Sequence, residues 1–204
     1  MLFSSFNVTI YNFTSNQYRK QKIAIVENIS DEIAMQNVKA GKIAEMSVLF
    51  ERYHLKLYNF FVKMGLPKDI SQDMTQNLFY RMIKYRHSFK EGNSVKSWIY
   101  QIARNLHADY CKQIRKAGDL IMNAESCPDI IMPETDGFPE EDYEKLDRAI
   151  MSLSDAQREL IVLSRYQGLK YEEISSITNQ SVSAIKVGIH RALRQLRTVF
   201  VTQN

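Results

Sequence analysis

The stretch GLKYEEISSITNQSVSAIKVGIHRALRQLR, residues 168–197, predicts two helices joined by a tight turn. Ile174 and Ile177 are spaced to share one face of the first helix, and the break follows at Asn179. Asparagine tolerates the left-handed backbone that such a turn needs, and Ser181 is a good N-cap for the next helix. The pattern is that of a helix-turn-helix.

The second of these helices is amphipathic. Its apolar residues recur at helical spacing and predict a buried stripe: Ile185, Ile189, Ala192, Leu193 and Leu196. The opposite side carries polar and basic residues that suit the major groove of DNA, the first few for base edges and the arginines for phosphates: Ser181, Ser183, Lys186, His190, Arg191, Arg194 and Arg197. An ordinary surface helix with a solvated basic face remains the alternative for this window taken alone.

Charge is distributed unevenly along the 204 residues, although the net charge is only +4. Residues 39–117 hold fifteen basic and six acidic side chains, and residues 148–204 hold eight basic and four acidic ones. Between these blocks, residues 118–147 hold one basic and ten acidic side chains. Two basic blocks separated by an acidic strip suggest two polyanion-binding modules and a connector that avoids DNA.

The first basic block predicts three amphipathic helices. One runs from about Val38 to Gly65, a second from Gln72 to about Arg86 with Ser71 as its cap, and a third opens at Ser94. Aromatic and aliphatic residues at three- and four-residue steps are numerous enough to close a core of roughly 80 residues. We assign Trp98 to packing; Tyr100 beside a basic face could instead stack on a base.

The remaining stretches are less regular. Residues 1–37 show no clear period and predict a poorly ordered extension or the artefact of an upstream start. Residues 118–144 are acidic, contain three prolines and predict a flexible linker. The Ser154–Gln157 capping box opens the second module.

Catalytic and membrane signatures are not evident in the sequence. It shows no glycine-rich phosphate loop, no paired-cysteine zinc spacing and no recognisable nucleophile setting. His107 and Cys111 stand one helical turn apart, but two ligands do not make a metal site. We therefore expect no enzyme activity, no metal, no cofactor and no small-molecule substrate. With two cysteines, no secretory signal and no membrane-spanning run, we also expect a cytoplasmic protein without direct membrane insertion.

Taken together, the two modules resemble a bacterial sigma-70-type RNA polymerase sigma factor of the extracytoplasmic-function (ECF) class. DMTQNLFYRMIKY (73–85) resembles the polymerase-binding helix of the family's region 2, and SWIYQIARNLHADYCKQIRK (97–116) resembles its promoter-melting helix. QRELIVL, GL, YEEI and SVSAIKVGIHRALRQLR resemble region 4. Lys170 and Gly188 depart from the pattern, where the family often has a serine cap and an arginine.

The resemblance implies an all-α fold of two small helical domains joined by a flexible acidic linker. A region 2 bundle of three to four helices would span 38–117, and a region 4 helix-turn-helix would span 145–204. Core RNA polymerase would be bound by Asp73, Gln76, Asn77 and Arg81. The minus-10 element would be contacted by Tyr100, Arg104, Asn105, Asp109, Lys112, Arg115 and Lys116. The minus-35 element would be contacted by Ser181, Ser183, Lys186, His190, Arg191 and Arg194.

The implied partners are core RNA polymerase, promoter DNA and an anti-sigma factor. Two duplex sites about two helical turns apart lie roughly 70 Å from each other, whereas a free coil of this linker's length averages roughly 30 Å. A third body must hold the linker stretched, and a basic channel of the polymerase would explain its acidity.

Two other functions compete with this interpretation. A free-standing regulator would use the C-terminal helix-turn-helix alone, usually as a symmetric dimer, and bind its operator without polymerase. A protein-interaction adaptor would bind acidic partners through its basic blocks and show no dependence on DNA. The basic first module with its Ala-Arg-Asn helix favours the sigma factor over both.

Overall fold

The computed structural model describes residues 29–118 and 140–202, without the side chains of residues 117–118, 140–144 and 200–202. Every regular element in these two ranges is helical, as the sequence predicts. The first unit, residues 29–118, contains four α-helices: α1 (Asp31–Lys39), α2 (Met46–Lys63), α3 (Lys68–Lys84) and α4 (Val95–Gly118). The second unit, residues 140–202, contains four more: α5 (Glu140–Met151), α6 (Asp155–Ile161), α7 (Tyr171–Thr178) and α8 (Val182–Thr202).

Helix α1 begins inside the stretch predicted to be poorly ordered, and that part of the prediction is wrong. The Ser30 hydroxyl accepts a hydrogen bond from the Ile33 amide at 3.2 Å and caps the helix. Asp31 then accepts hydrogen bonds from Arg52 and from the Tyr53 hydroxyl on α2. Tertiary contacts of this kind order nine residues that lack a long amphipathic period. Residues 1–28 lie outside the described residues.

Three other boundaries differ from the sequence prediction. The helix predicted from about Val38 begins at Met46, because α1 ends at Lys39 and a short 3-10 helix, Ile43–Glu45, lies between the two. Helix α3 begins at Lys68 after Pro67, so Ser71 is buried inside the helix instead of capping it. Its hydroxyl donates to the Leu66 carbonyl at 3.3 Å. Helix α5 begins at Glu140, inside the range assigned to the linker. The rest of the predicted linker, residues 119–139, lies outside the described residues.

The two units share one continuous hydrophobic core. Phe60 on α2 lies 5.3 Å from Phe61 and 5.7 Å from Tyr100 on α4, measured between ring centroids. The same cluster extends through Ile150 of α5 and Leu160 of α6. Helix α2 packs against α5, and α4 packs against α7. The candidate sites of both units are therefore held by one packed body.

A single π-helical turn, Val162–Tyr166, connects α6 to the helix-turn-helix. The Gln167 amide closes it by donating to the Val162 carbonyl at 3.0 Å, and Gly168 follows with φ +60°. Such turns are frequent at functional sites. The side chain of the next residue, Gln167, reaches the first unit and accepts a hydrogen bond from the Tyr100 hydroxyl.

Candidate nucleic-acid and polymerase interface

The helix-turn-helix forms as the sequence predicts. Asn179 adopts the left-handed conformation, with φ 56° and ψ 31°, and the Ser175 hydroxyl donates to the Gln180 carbonyl across the turn at 2.6 Å. The Ala184 amide donates to the Ser181 hydroxyl at 3.2 Å, which caps α8. At the start of α7, the Lys170 amide donates to the Glu173 carboxylate at 2.8 Å, which is the half of a capping box that a glutamate at the third helical position supplies.

One face of α8 is free and basic. The six residues assigned to the minus-35 element are polar, and all six are exposed: Ser181, Ser183, Lys186, His190, Arg191 and Arg194. Ser181 caps the helix, and the other five lie on its successive turns. The buried stripe contains Ile185, Ile189, Ala192 and Leu196. Leu193, predicted to belong to it, is instead 38% exposed. The exposed face has the length and charge needed to enter a major groove.

Gly188 has a packing role that the sequence does not reveal. A Cβ placed on this residue would lie 2.6 Å from Cδ1 of Leu160 on α6. The position therefore faces the neighbouring helix, which gives a packing reason for a glycine where the family often has an arginine. Its cost in helix propensity, about 1 kcal/mol relative to alanine, is offset by close packing of α6 and α8.

We predict that Gly188→Ala lowers the free energy of unfolding. A Cβ at 2.6 Å from Leu160 Cδ1 forces a shift of a buried side chain, so we expect a cost in the upper part of the range of about 1–3 kcal/mol for overpacking, more than the gain in helix propensity of about 1 kcal/mol. In a Leu160→Ala background, where the obstructing side chain is gone, the same substitution should be stabilising. Urea unfolding of the four variants of this double-mutant cycle measures the coupling. Equal effects of Gly188→Ala in both backgrounds would contradict the packing role.

Helix α4 presents most of the residues assigned to the minus-10 element. Five of them form an exposed polar surface along its C-terminal half: Asn105, Asp109, Lys112, Arg115 and Lys116. Arg115 also donates to the carbonyl of Cys111 one turn earlier, at 3.3 Å. This half of the helix is open to a nucleic-acid strand.

Tyr100 and Arg104, in the N-terminal half of α4, are covered by the second unit. Tyr100 is 0% exposed, and its hydroxyl donates to the Gln167 side chain at 2.5 Å. Burial raises the pKa of Tyr100. In this arrangement Tyr100 cannot stack on a base, contrary to its assignment as an exposed contact residue.

The guanidinium of Arg104 is paired with a carboxylate of the second unit. Its Nε donates to Oε1 of Glu159 at 2.8 Å. Burial raises the pKa of Glu159, and the charge of Arg104 opposes that rise. The Nε–H of Arg104 is thus engaged by a carboxylate in a charge-assisted hydrogen bond.

The residues assigned to polymerase binding lie on α3. Asp73 and Gln76 are exposed, and Asn77 and Arg81 are partly buried. Arg81 Nη1 lies 3.5 Å from Oδ2 of Asp109 on α4, so this face adjoins the exposed half of the minus-10 surface.

The pair of His107 and Cys111 is present, with Nε2 and Sγ 3.6 Å apart. Burial lowers the pKa of His107 and raises the pKa of the Cys111 thiol. Among the residues that the structure describes, no group of three or more His, Cys, Asp or Glu side chains could hold a metal ion. Cys127 lies outside those residues. The described part of the chain also contains no helix long and apolar enough to cross a membrane.

Further polar contacts between the units involve residues that the sequence did not single out. The Ser94 and Ser97 hydroxyls donate to Oε1 of Glu173 at 3.0 and 3.1 Å. Burial alone raises the pKa of Glu173, but hydrogen bonds from the Lys170 amide and from both serines outweigh it, and the pKa is lowered. Lys96 donates to the Gly168 carbonyl at 3.1 Å. No local sequence signal could reveal these contacts, because they join residues more than 70 positions apart.

Two family models match the chain: "Sigma-70 region 2" matches residues 49–117, and "Sigma-70, region 4" matches residues 143–196. The chain is 28% identical over 160 residues to the ECF RNA polymerase sigma factor SigM of Bacillus subtilis, covering 74% of this chain and 93% of the relative. It is 27% identical over 176 residues to the ECF RNA polymerase sigma-E factor of Escherichia coli, covering 81% of this chain and 92% of the relative.

Solved structures with a similar fold include CnrH in complex with the cytosolic domain of CnrY, with a TM-score of 0.67, 20% identity and coverage of 85% of this chain and 99% of that one. The sigma factor RpoE of Bartonella quintana, in complex with the anti-sigma factor NepR, gives a TM-score of 0.63 at 24% identity, covering 76% of this chain and 96% of that one.

Proposed function

The chain belongs to the sigma-70 family of RNA polymerase sigma factors, in its ECF class, and we propose that its two units divide the work of promoter recognition between them. As a sigma factor it binds core RNA polymerase, recognises promoter DNA and promotes strand opening. In our proposal α3 binds the polymerase, α4 contacts the minus-10 element and α8 contacts the minus-35 element. We infer that the chain acts in the cytoplasm and catalyses no reaction of its own.

The observation that carries the assignment of α8 is its exposed basic face. Lys186, Arg191 and Arg194 are exposed, while Ile185 and Ile189 pack the opposite side of the helix into the core. The assignment of α3 is supported by the exposed Asp73 and Gln76 beside Tyr80, an aromatic residue that is 53% exposed. A large apolar group among polar ones on a helix face is typical of a protein interface.

Run-off transcription tests this proposal. Purified core polymerase, with and without the chain, is supplied with genomic DNA from the organism that encodes it. Discrete new transcripts should appear only when the chain is present. Specific operator binding by the isolated chain, with no effect on the polymerase, would favour a free-standing regulator instead.

Asn105→Ala is predicted to reduce initiation while leaving polymerase capture unchanged. Asn105 is exposed on α4, whereas the four residues assigned to polymerase binding all lie on α3, and loss of one base contact costs about 1–3 kcal/mol. Run-off yield should fall roughly tenfold or more, and a pull-down with core polymerase should give the wild-type amount. Gln113→Ala, which removes an exposed amide elsewhere on α4, is the control. Parallel loss of capture and initiation would contradict the assignment.

Two relatives of similar fold are described in complexes, RpoE with the anti-sigma factor NepR and CnrH with the cytosolic domain of CnrY. We infer that this chain is also held by an anti-sigma factor. Co-purification of the chain from its own host, followed by mass spectrometry, should identify a partner that abolishes run-off transcription when it is added back.

A further inference from the structure

Helix α8 exposes an aliphatic side chain at the centre of its outer face. Val187 is 49% exposed and lies midway in sequence between Ile185 and Ile189, both of which are buried. On a helix that turns by about 100° per residue, Val187 therefore points about 160° away from each of them. It also lies in the N-terminal half of Val182–Thr202, the half that reaches base edges in helix-turn-helix proteins.

The neighbours of Val187 on this face are polar or basic. Ser183 lies one turn before it, His190 and Arg191 lie one turn after it, and all three are exposed. An arginine can hold a phosphate and so fix the register of α8 on a duplex, whereas an aliphatic side chain neither donates nor accepts a hydrogen bond. Val187 must therefore contribute in a different way from the six residues assigned to the minus-35 element.

Neither core packing nor helix formation accounts for a valine at this position. The residue is half exposed and points away from the buried stripe. Valine is also a weaker helix former than alanine, lysine, arginine or glutamine, because its β-branched side chain loses rotamer freedom in a helix. Its apolar surface would be removed from water only by a partner that docks on the outer face of α8, and DNA is the partner that the assignment of α8 brings there.

The major groove offers such a side chain one apolar group. Base edges there present hydrogen-bond acceptors, amino donors and the 5-methyl group of thymine. A valine placed over a donor or acceptor would displace its water without replacing the hydrogen bond, which opposes binding. Contact with a methyl group instead removes two apolar surfaces from water together. 5-Methylcytosine carries the same methyl group at the same position of its ring.

We propose that Val187 is a specificity-determining residue that reads a pyrimidine 5-methyl group, of thymine or of 5-methylcytosine, in the minus-35 element. This inference rests on the proposed function, which assigns α8 to that element. Because the contact is apolar, it adds to sequence preference and leaves the salt-dependent part of the affinity to Lys186, Arg191 and Arg194.

Base analogues test the contact one methyl group at a time. Holoenzyme assembled from core polymerase and the chain is titrated onto a promoter identified by run-off mapping. Each thymine of the minus-35 duplex, on both strands, is replaced in turn by deoxyuridine, and each cytosine by 5-methyldeoxycytidine. If thymine is the source, deoxyuridine at one position should raise the wild-type Kd about fourfold, as expected for one methyl group no longer buried. If 5-methylcytosine is the source, methylation of one cytosine should lower the Kd by a similar factor.

Val187→Ala separates a methyl contact from an effect of the analogue on DNA shape. Alanine favours the helix and preserves the net charge, so binding to the methyl-bearing promoter should weaken about fourfold or more while the slope of log K against log salt stays unchanged. The base replacement that changes wild-type binding should no longer change binding of this variant.

Leu193→Ala is the matched control. Leu193 is also an exposed aliphatic residue of α8, at 38%, but it points only about 40° away from the buried Ile189. The Leu193→Ala holoenzyme should respond to each base replacement as the wild type does.

Two results would overturn the proposal: no replacement changes wild-type binding, or Val187→Ala responds to the replacements as the wild type does. Scrambling of the whole minus-35 element is measured in parallel. If scrambling weakens the wild type while no single methyl group matters, the assignment of α8 stands and only the role of Val187 fails. If scrambling has no effect, the assignment of α8 fails and the proposal fails with it.

Discussion

Asp147→Ala is expected to destabilise the packing of the second unit against the first, the closed arrangement, by about 3 kcal/mol or more, within the range of about 3–5 kcal/mol for a buried charge that loses its partner. The side chain of Lys63 is 3% exposed and forms an ion pair with Asp147, whose side chain is 21% exposed. The Tyr166 ring lies 5.0 Å from the ammonium, and an aromatic face compensates for only part of a lost carboxylate. The unpaired ammonium would regain water most easily if α5 left α2.

The way in which the unpaired Lys63 ammonium regains water determines what the experiment should show. The ion pair of Lys63 joins the two units, so Asp147→Ala should separate them before either unit unfolds. Calorimetry should record two separate unfolding transitions where the wild type gives one, and scattering should show an expanded particle. Both units should keep their helices by circular dichroism.

Two controls distinguish a buried pair from a generic loss of charge. Lys39 Nζ lies 3.8 Å from Oε1 of Glu91, with the two side chains 30% and 70% exposed, and Glu91→Ala should cost less than about 1 kcal/mol. Replacing both members of the buried pair, with Lys63→Met and Asp147→Leu, should leave the chain closed or close it more tightly. An effect of Asp147→Ala as small as that of Glu91→Ala would contradict this account.

Local sequence patterns were sufficient to predict the helix caps and the turn of the helix-turn-helix. The capping box at Ser154, the left-handed Asn179 and the cap at Ser181 all form as predicted. Each depends on contacts within about five residues, so the sequence window contains all the relevant information. The exposed basic face of α8 follows from the same periodicity.

Features that depend on distant residues were not predictable in this way. Helix α1 is stabilised by Arg52 and Tyr53, more than twenty residues away. Tyr100 carries an aromatic ring and a hydroxyl that suit a base-stacking site, yet its ring packs on Phe60 and the residue that accepts from its hydroxyl is 67 residues distant. Gly188 is explained only by Leu160 on another helix. The sequence therefore predicts the units and their outer faces, but not the contact between them.

Recognition of the minus-35 element should depend on the cationic face of α8. Lys186→Ala combined with Arg194→Ala removes two exposed positive charges that lie two helical turns apart. A phosphate or base contact is worth about 1–3 kcal/mol, so we expect the double variant to lose about a hundredfold or more in promoter affinity as holoenzyme, and the slope of log K against log salt to fall by about two. The binding that remains in the double variant should come from the contacts with the minus-10 element.

A matched control removes a positive charge from a different surface of the same unit. Arg165→Ala removes an exposed arginine in the π-helical turn, away from α8, and should leave both the affinity and the salt slope unchanged. The test uses a promoter identified by run-off mapping and a version of it whose minus-35 element is scrambled. Because the double variant has already lost those contacts, scrambling should weaken the wild type and barely affect the variant. If scrambling weakened both equally, sequence reading at the minus-35 element would have to come from groups other than Lys186 and Arg194.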